Sequence, residues 1–137
     1  MKNLIKKFAQ LSVLMMLAFI ICSFDNSSRP DYGTSSSSAT VSISDISIES
    51  KDNAGRYIVK ITVRASNLAA DETIRTIGAE WGNVKSNPSN RDSRSSGTSA
   101  TFTTTWHSGQ TYYVTPFLKT NKTDGEINGQ TKSKRTP

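Results

Sequence analysis

A chain of 137 residues that is 34% hydrophobic, with a formal charge of +6, one cysteine and one histidine, allows a single domain of ordinary size with a lean core. Serine and threonine make up the difference, with 21 and 16 residues, and favour strands, turns and solvated linkers over helices. One His and one Cys exclude a multi-histidine zinc site, a CxxC redox pair and an internal disulfide, and no residue pattern calls for a cofactor or a metal.

In chain order, Lys2, Lys6 and Lys7 precede an apolar run from Leu11 to Ile21 broken only by Ser12. This is the charged start and short apolar middle of a secretory signal, expected over residues 1–23. The run falls short of the roughly 20 apolar residues of a membrane span, and Val13 to Ile21 is apolar on every face, which does not suit an amphipathic helix of the domain. Two endings of the signal stay open. Cys22 stands where a lipoprotein signal carries the thiol that is lipidated, which would attach the protein to a membrane, although Ile21 is large where that pattern wants a small residue. Cleavage after Ser23 would instead release a secreted chain. Without the three leader lysines the balance is 14 basic to 11 acidic residues, or +3. That is no concentrated basic face, so nucleic acid is not expected as a partner. Lys132, Lys134 and Arg135, the one basic cluster, read as a solvated tail.

Residues 24–39 contain Ser27-Ser28, Pro30, Gly33 and the run Ser35 to Ser38, with no apolar period. They read as a disordered, serine-rich tether. From Thr40 the pattern changes to period two. Val41 and Ile43 alternate with polar neighbours, and Ile46 and Ile48 resume after a one-residue phase change at Asp45, which predicts a bulged edge strand. Tyr57, Val59, Ile61 and Val63 form one face of a second strand, and Ile74 to Trp81 form a third. Residues 83–98 are polar and turn-rich. Further strands follow at Thr101–Trp106, Thr111–Thr120 and Glu126–Ser133, the last two joined by a hairpin signalled by Asp124-Gly125. Six to seven strands with turns about every ten residues, and no helical period after the signal, predict an all-β fold, an antiparallel two-sheet β-sandwich over 40–137.

The stretch Trp106-His107-Ser108-Gly109-Gln110-Thr111-Tyr112-Tyr113-Val114 resembles the corner between strands E and F of fibronectin type III domains. There a large apolar residue, a short turn and a tyrosine six positions later lead into strand F; Trp106, Gly109 and Tyr112 match them. Thr115 to Asn121 and Asp124 to Gly129 are similar to the F–G hairpin of type III-like modules in exported bacterial proteins, and Gly78-Ala79-Glu80-Trp81 to their strand C. Trp106 and Ser108 replace the family's usual leucine and proline. The resemblance implies a type III-like, immunoglobulin-like sandwich in which the Tyr112 hydroxyl bonds to backbone just upstream.

Chemistry-bearing residues are few. His107 beside Ser108 lacks the geometry and oxyanion pattern of a triad, so it reads as a turn residue and no catalytic residue is expected. Asp71, Glu72, Asp124 and Glu126 would share one end of the sandwich, but without the spacing of a calcium loop they read as solvated charge. Trp81, Trp106, Val59, Ile61, Tyr112 and Val114 are expected in the core. Period two then turns Tyr113 and Phe117 outward as the candidate contact with a protein or glycan partner. The expectation is an exported, non-enzymatic surface or secreted module for protein interaction or adhesion. The other reading is a small carbohydrate-binding module using exposed aromatics.

Overall fold

The computed structural model describes residues 36–137. The signal over 1–23, Cys22 and the tether as far as residue 35 lie outside the described residues. The rest is an antiparallel β-sandwich of eight strands: β1 (Thr40–Lys51), β2 (Tyr57–Ser66), β3 (Ile74–Gly82), β4 (Asn90–Arg94), β5 (Ser99–Trp106), β6 (Thr111–Thr120), β7 (Ile127–Asn128) and β8 (Lys132–Arg135). One sheet has the order β1-β2-β5. The other runs β4-β3-β6, and β7 and β8 both pair with β6, along its edge away from β3.

Alternation decides which face each strand buries. Val59, Ile61, Val63 and Ala65 of β2 meet Ile77, Ala79 and Trp81 of β3 and Tyr112, Val114 and Leu118 of β6 across the sheet interface. Phe102 and Trp106 of β5 and Val41 and Ile43 of β1 complete the core. Each Val, Ile, Leu or Phe side chain among them, withdrawn fully from water, contributes roughly 1.5–3 kcal/mol. The indole N–H groups of Trp81 and Trp106 find no acceptor among the described residues, a desolvation cost that the burial of two large rings offsets.

The phase change in β1 is a bulge: the register with β2 slips between Ile43 and Asp45, so Ser44 is the extra residue. Three features depart from the sequence reading. The polar stretch 83–98 holds a strand, β4, whose residues are exposed or half-buried; an edge strand that meets the core with so little of its surface has no apolar rhythm to reveal it. The final strand is split, because Gly129 leaves the β6 ladder to pass against the backbone carbonyl of Val41, where a Cβ would collide. Its own N–H still bonds the Pro116 carbonyl at 2.9 Å. The β6–β7 connection also differs from a tight Asp-Gly hairpin. Gly125 is not among the residues with positive φ, and the chain turns first at Asn121-Lys122.

Candidate functional site

The sheet of β3, β4, β6, β7 and β8 presents the face expected to bind. Tyr113, Thr115 and Phe117 do alternate outward from Tyr112, Val114, Pro116 and Leu118, yet Phe117 is only 1% exposed. Opposite it on β3 is Gly78, whose missing side chain lets the Phe117 ring lie flat on the sheet. Above the ring sits the Arg91 guanidinium, 3.7 Å from its centroid. Arg91 is itself held by ion pairs to Glu80 on β3 and to Glu126 before β7. Burial works against its charge, and the two carboxylates more than offset that, so its proton is held more tightly than usual. Phe117 is therefore the filling of a closed Gly–Phe–Arg stack, and the outward contact expected of it is corrected on that ground. Tyr113 is half-buried, opposite Gly82 on one side and Ser133 on the other.

At the end where the chain enters the domain, Glu72 is 7% exposed and gathers three segments. Its Oε1 accepts the hydroxyls of Ser37 and of Thr120, the latter at 2.6 Å, and its Oε2 accepts the Ala69 N–H at 3.1 Å. The Ser37 hydroxyl first, then the Thr120 hydroxyl, hold this carboxyl below its ordinary range against the effect of burial. Nearby Lys122 pairs with Asp71, and Asn121 bonds both the N–H and the carbonyl of Thr73. Packing thus begins before the alternation does: Ala39 is buried and Ser38 bonds the Asn67 carbonyl. The four acidic residues expected at one end are divided. Asp71 and Glu72 are bonded here, Glu126 is bonded to Arg91, and Asp124 is exposed. Among the described residues no group of three His, Cys, Asp or Glu side chains could hold a metal ion.

At the far end, Trp106 and Tyr112 stack with ring centroids 4.4 Å apart and planes 6° from parallel. The Tyr112 hydroxyl accepts the His107 N–H at 3.0 Å, five residues upstream. Thr136, 1% exposed, closes the same corner. Its hydroxyl donates to the His107 carbonyl at 2.6 Å and accepts the Gln110 N–H at 3.0 Å, while its own N–H reaches the Gln110 carbonyl at 2.9 Å.

No protein-family model matches the sequence, and no curated protein is similar to it. Solved structures similar in shape include two DUF3823 family proteins. One is a DUF3823 family protein from Bacteroides ovatus ATCC 8483, with a TM-score of 0.49 and 12% identity over 69% of this chain and 54% of that one. The other is a DUF3823 family protein from Parabacteroides merdae ATCC 43184, with a TM-score of 0.47 and 12% identity over 68% of this chain and 51% of that one. The chain spans about half the length of each.

The residues named for the core, Trp81, Trp106, Val59, Ile61, Tyr112 and Val114, are all buried between the sheets. Sequence reasoning passed over Arg91, Thr136 and the buried state of Glu72. The signal for Arg91 was weak but present: an isolated glycine inside a strand pattern, Gly78, marks a place where a neighbouring group approaches closely.

Proposed function

We propose that this chain is an exported, non-catalytic β-sandwich module of the fibronectin type III kind that serves adhesion or protein interaction at the cell surface or outside the cell. The leader over 1–23 and the serine-rich stretch that follows it support export, with Cys22 as the lipid anchor if the signal ends there; the residues from Ser37 to Ala39, expected in the tether, belong instead to the folded domain. The strand order β1-β2-β5 against β4-β3-β6 with β7 and β8, together with the Tyr112 hydroxyl bonded to the His107 N–H, supports the type III kind.

One observation carries the non-catalytic part. Catalytic sites gather groups with displaced titration into one cleft. Among the described residues Glu49, Asp52, Asp71, Glu72 and Arg91 are displaced and each is bonded to hydroxyl, backbone or ionic partners within the fold, and no carboxylate lines the cleft that holds His107 to orient its imidazole as a base. The test is a sensor surface carrying the mature chain, exposed to purified surface and matrix proteins alongside chromogenic ester and glycoside substrates. Saturable binding without turnover is the expected result. Turnover that disappears in His107→Ala would overturn it.

A further inference from the structure

We propose that the far end of the sandwich binds a small, uncharged, polyhydroxylated ligand, the size of one sugar unit, in the cleft between the β3–β4 and β5–β6 connections; this rests on reading the chain as a binding module. The cleft has a volume of about 300 Å³ and is lined by Arg56, Asn83, Ser89, Asn90, His107 and Tyr112, among others. That is the small end of the range of ligand pockets, ~300–1,000 Å³.

Each wall is fixed by its own device. Arg56 is clamped to Asp52 through Nε and Nη2, both at 2.8 Å, in the β1–β2 turn. The β3–β4 connection sits directly on Gly82: a Cβ there would lie 2.9 Å from the Ser89 nitrogen and 3.2 Å from the Pro88 Cα. The backbone of His107 is tied on both sides, by the Tyr112 hydroxyl and by Thr136. A ligand therefore meets walls that are already ordered, which lowers the entropy cost of binding.

The lining chemistry selects the ligand class. Asn90 donates to the Ser89 hydroxyl at 3.0 Å and keeps its carbonyl free as an acceptor. The Asn83 amide and the His107 imidazole make no hydrogen bond to another described residue, so both donors and acceptors face a guest. No carboxylate lines the cleft to hold a cation, and the one permanent charge, on Arg56, is balanced by its ion pair with Asp52, which leaves its remaining N–H groups as donors and the cleft without net attraction for an anion. An apolar guest would leave these polar groups unpaired. A neutral ligand with neighbouring hydroxyls satisfies donors and acceptors together.

The experiment is a titration of the isotope-labelled mature chain with neutral hexoses and N-acetylhexosamines, followed through backbone amide resonances, with a hexuronate in parallel. Saturable shifts at Asn83, Ser89, Asn90 and His107, with Kd on the order of 1 mM, are expected for a neutral sugar. Asn83→Ala and Asn90→Ala, both at exposed positions, should weaken binding about tenfold each without moving the melting temperature. Tighter binding of the hexuronate would overturn the neutral assignment. Shifts confined to other surfaces, or none across the panel, would overturn the cleft. A glycoprotein compared before and after deglycosylation separates a partner-borne sugar from a free one: capture lost on deglycosylation supports the former, and response to free sugar alone the latter. If no sugar binds while the sensor experiment still detects a protein partner, the cleft fails and the binding-module reading stands; if neither binds, both fail.

Discussion

At the entry end of the sandwich the chain is tied down by a carboxylate, with Glu72 collecting Ser37, Ala69 and Thr120. At the far end it is tied down by neutral groups, with the Tyr112 and Thr136 hydroxyls collecting His107 and Gln110. Both closures spend nearly inaccessible oxygens on stretches far apart in the chain, three at the entry end and two, the β5–β6 corner and Thr136, at the far end. They differ in what they leave over. The charged closure had to find donors for a desolvated carboxylate, and it drew the surrounding side chains into that task. The neutral closure asks only for backbone partners, and so the side chains around it, Asn83 and His107 among them, remain available. The cleft lined by Asn83, Ser89, Asn90 and His107 lies at this end.

The comparison can be broken most severely at Trp106. Trp106→Ala removes the ring under Tyr112 and opens a large cavity, at an expected cost of roughly 3–5 kcal/mol read by urea unfolding. An unfolding midpoint close to wild type would show that the far end is not built on that stack. Thr136→Val keeps the volume but leaves the His107 carbonyl and the Gln110 N–H short of a partner, an expected loss of about 1–3 kcal/mol with the entry end intact. Faster hydrogen exchange confined to the β5–β6 corner would check it.

The smallest and sharpest effect is on pH dependence. Glu72 titrates lower in the folded chain than when unfolded, so its contribution is complete above the unfolded carboxylate range and is lost as pH falls through the folded value. Glu72→Gln should therefore be less stable than wild type at about pH 7, and the gap should narrow at about pH 3. Thermal unfolding at the two pH values measures this. Thr136→Val should show the same deficit at both, since no titrating group is removed.

Much of the framework was legible because it follows one rule, burial on alternate residues. Val59, Ile61 and Val63 disclose β2, and the run from Thr111 to Thr120 discloses β6 with its ends in place. The bulge at Ser44 was visible as a break in the same rhythm. What escaped depends on partners far along the chain. Strand β4 borrows its strand character from hydrogen bonds to β3 and buries almost nothing of its own. Phe117 obeys the alternation and faces outward, yet it is buried, because Gly78 lies 39 residues before it and Arg91 lies 26 before it. Glu72 and Thr136 looked like ordinary surface residues, since nothing local distinguishes a solvated hydroxyl or carboxylate from one that distant segments converge on.

The two closures have a mechanical consequence. Strand β6 runs from the corner that holds Thr136 to the turn that holds Glu72, so Ser37 and Pro137 emerge at opposite poles about 30 Å apart along the strand direction. Tension applied between those poles is parallel to the strands, and it loads the β1–β2 and β6–β8 ladders in shear. Their hydrogen bonds must then give way together instead of unzipping singly, which is the geometry that resists a steady pull.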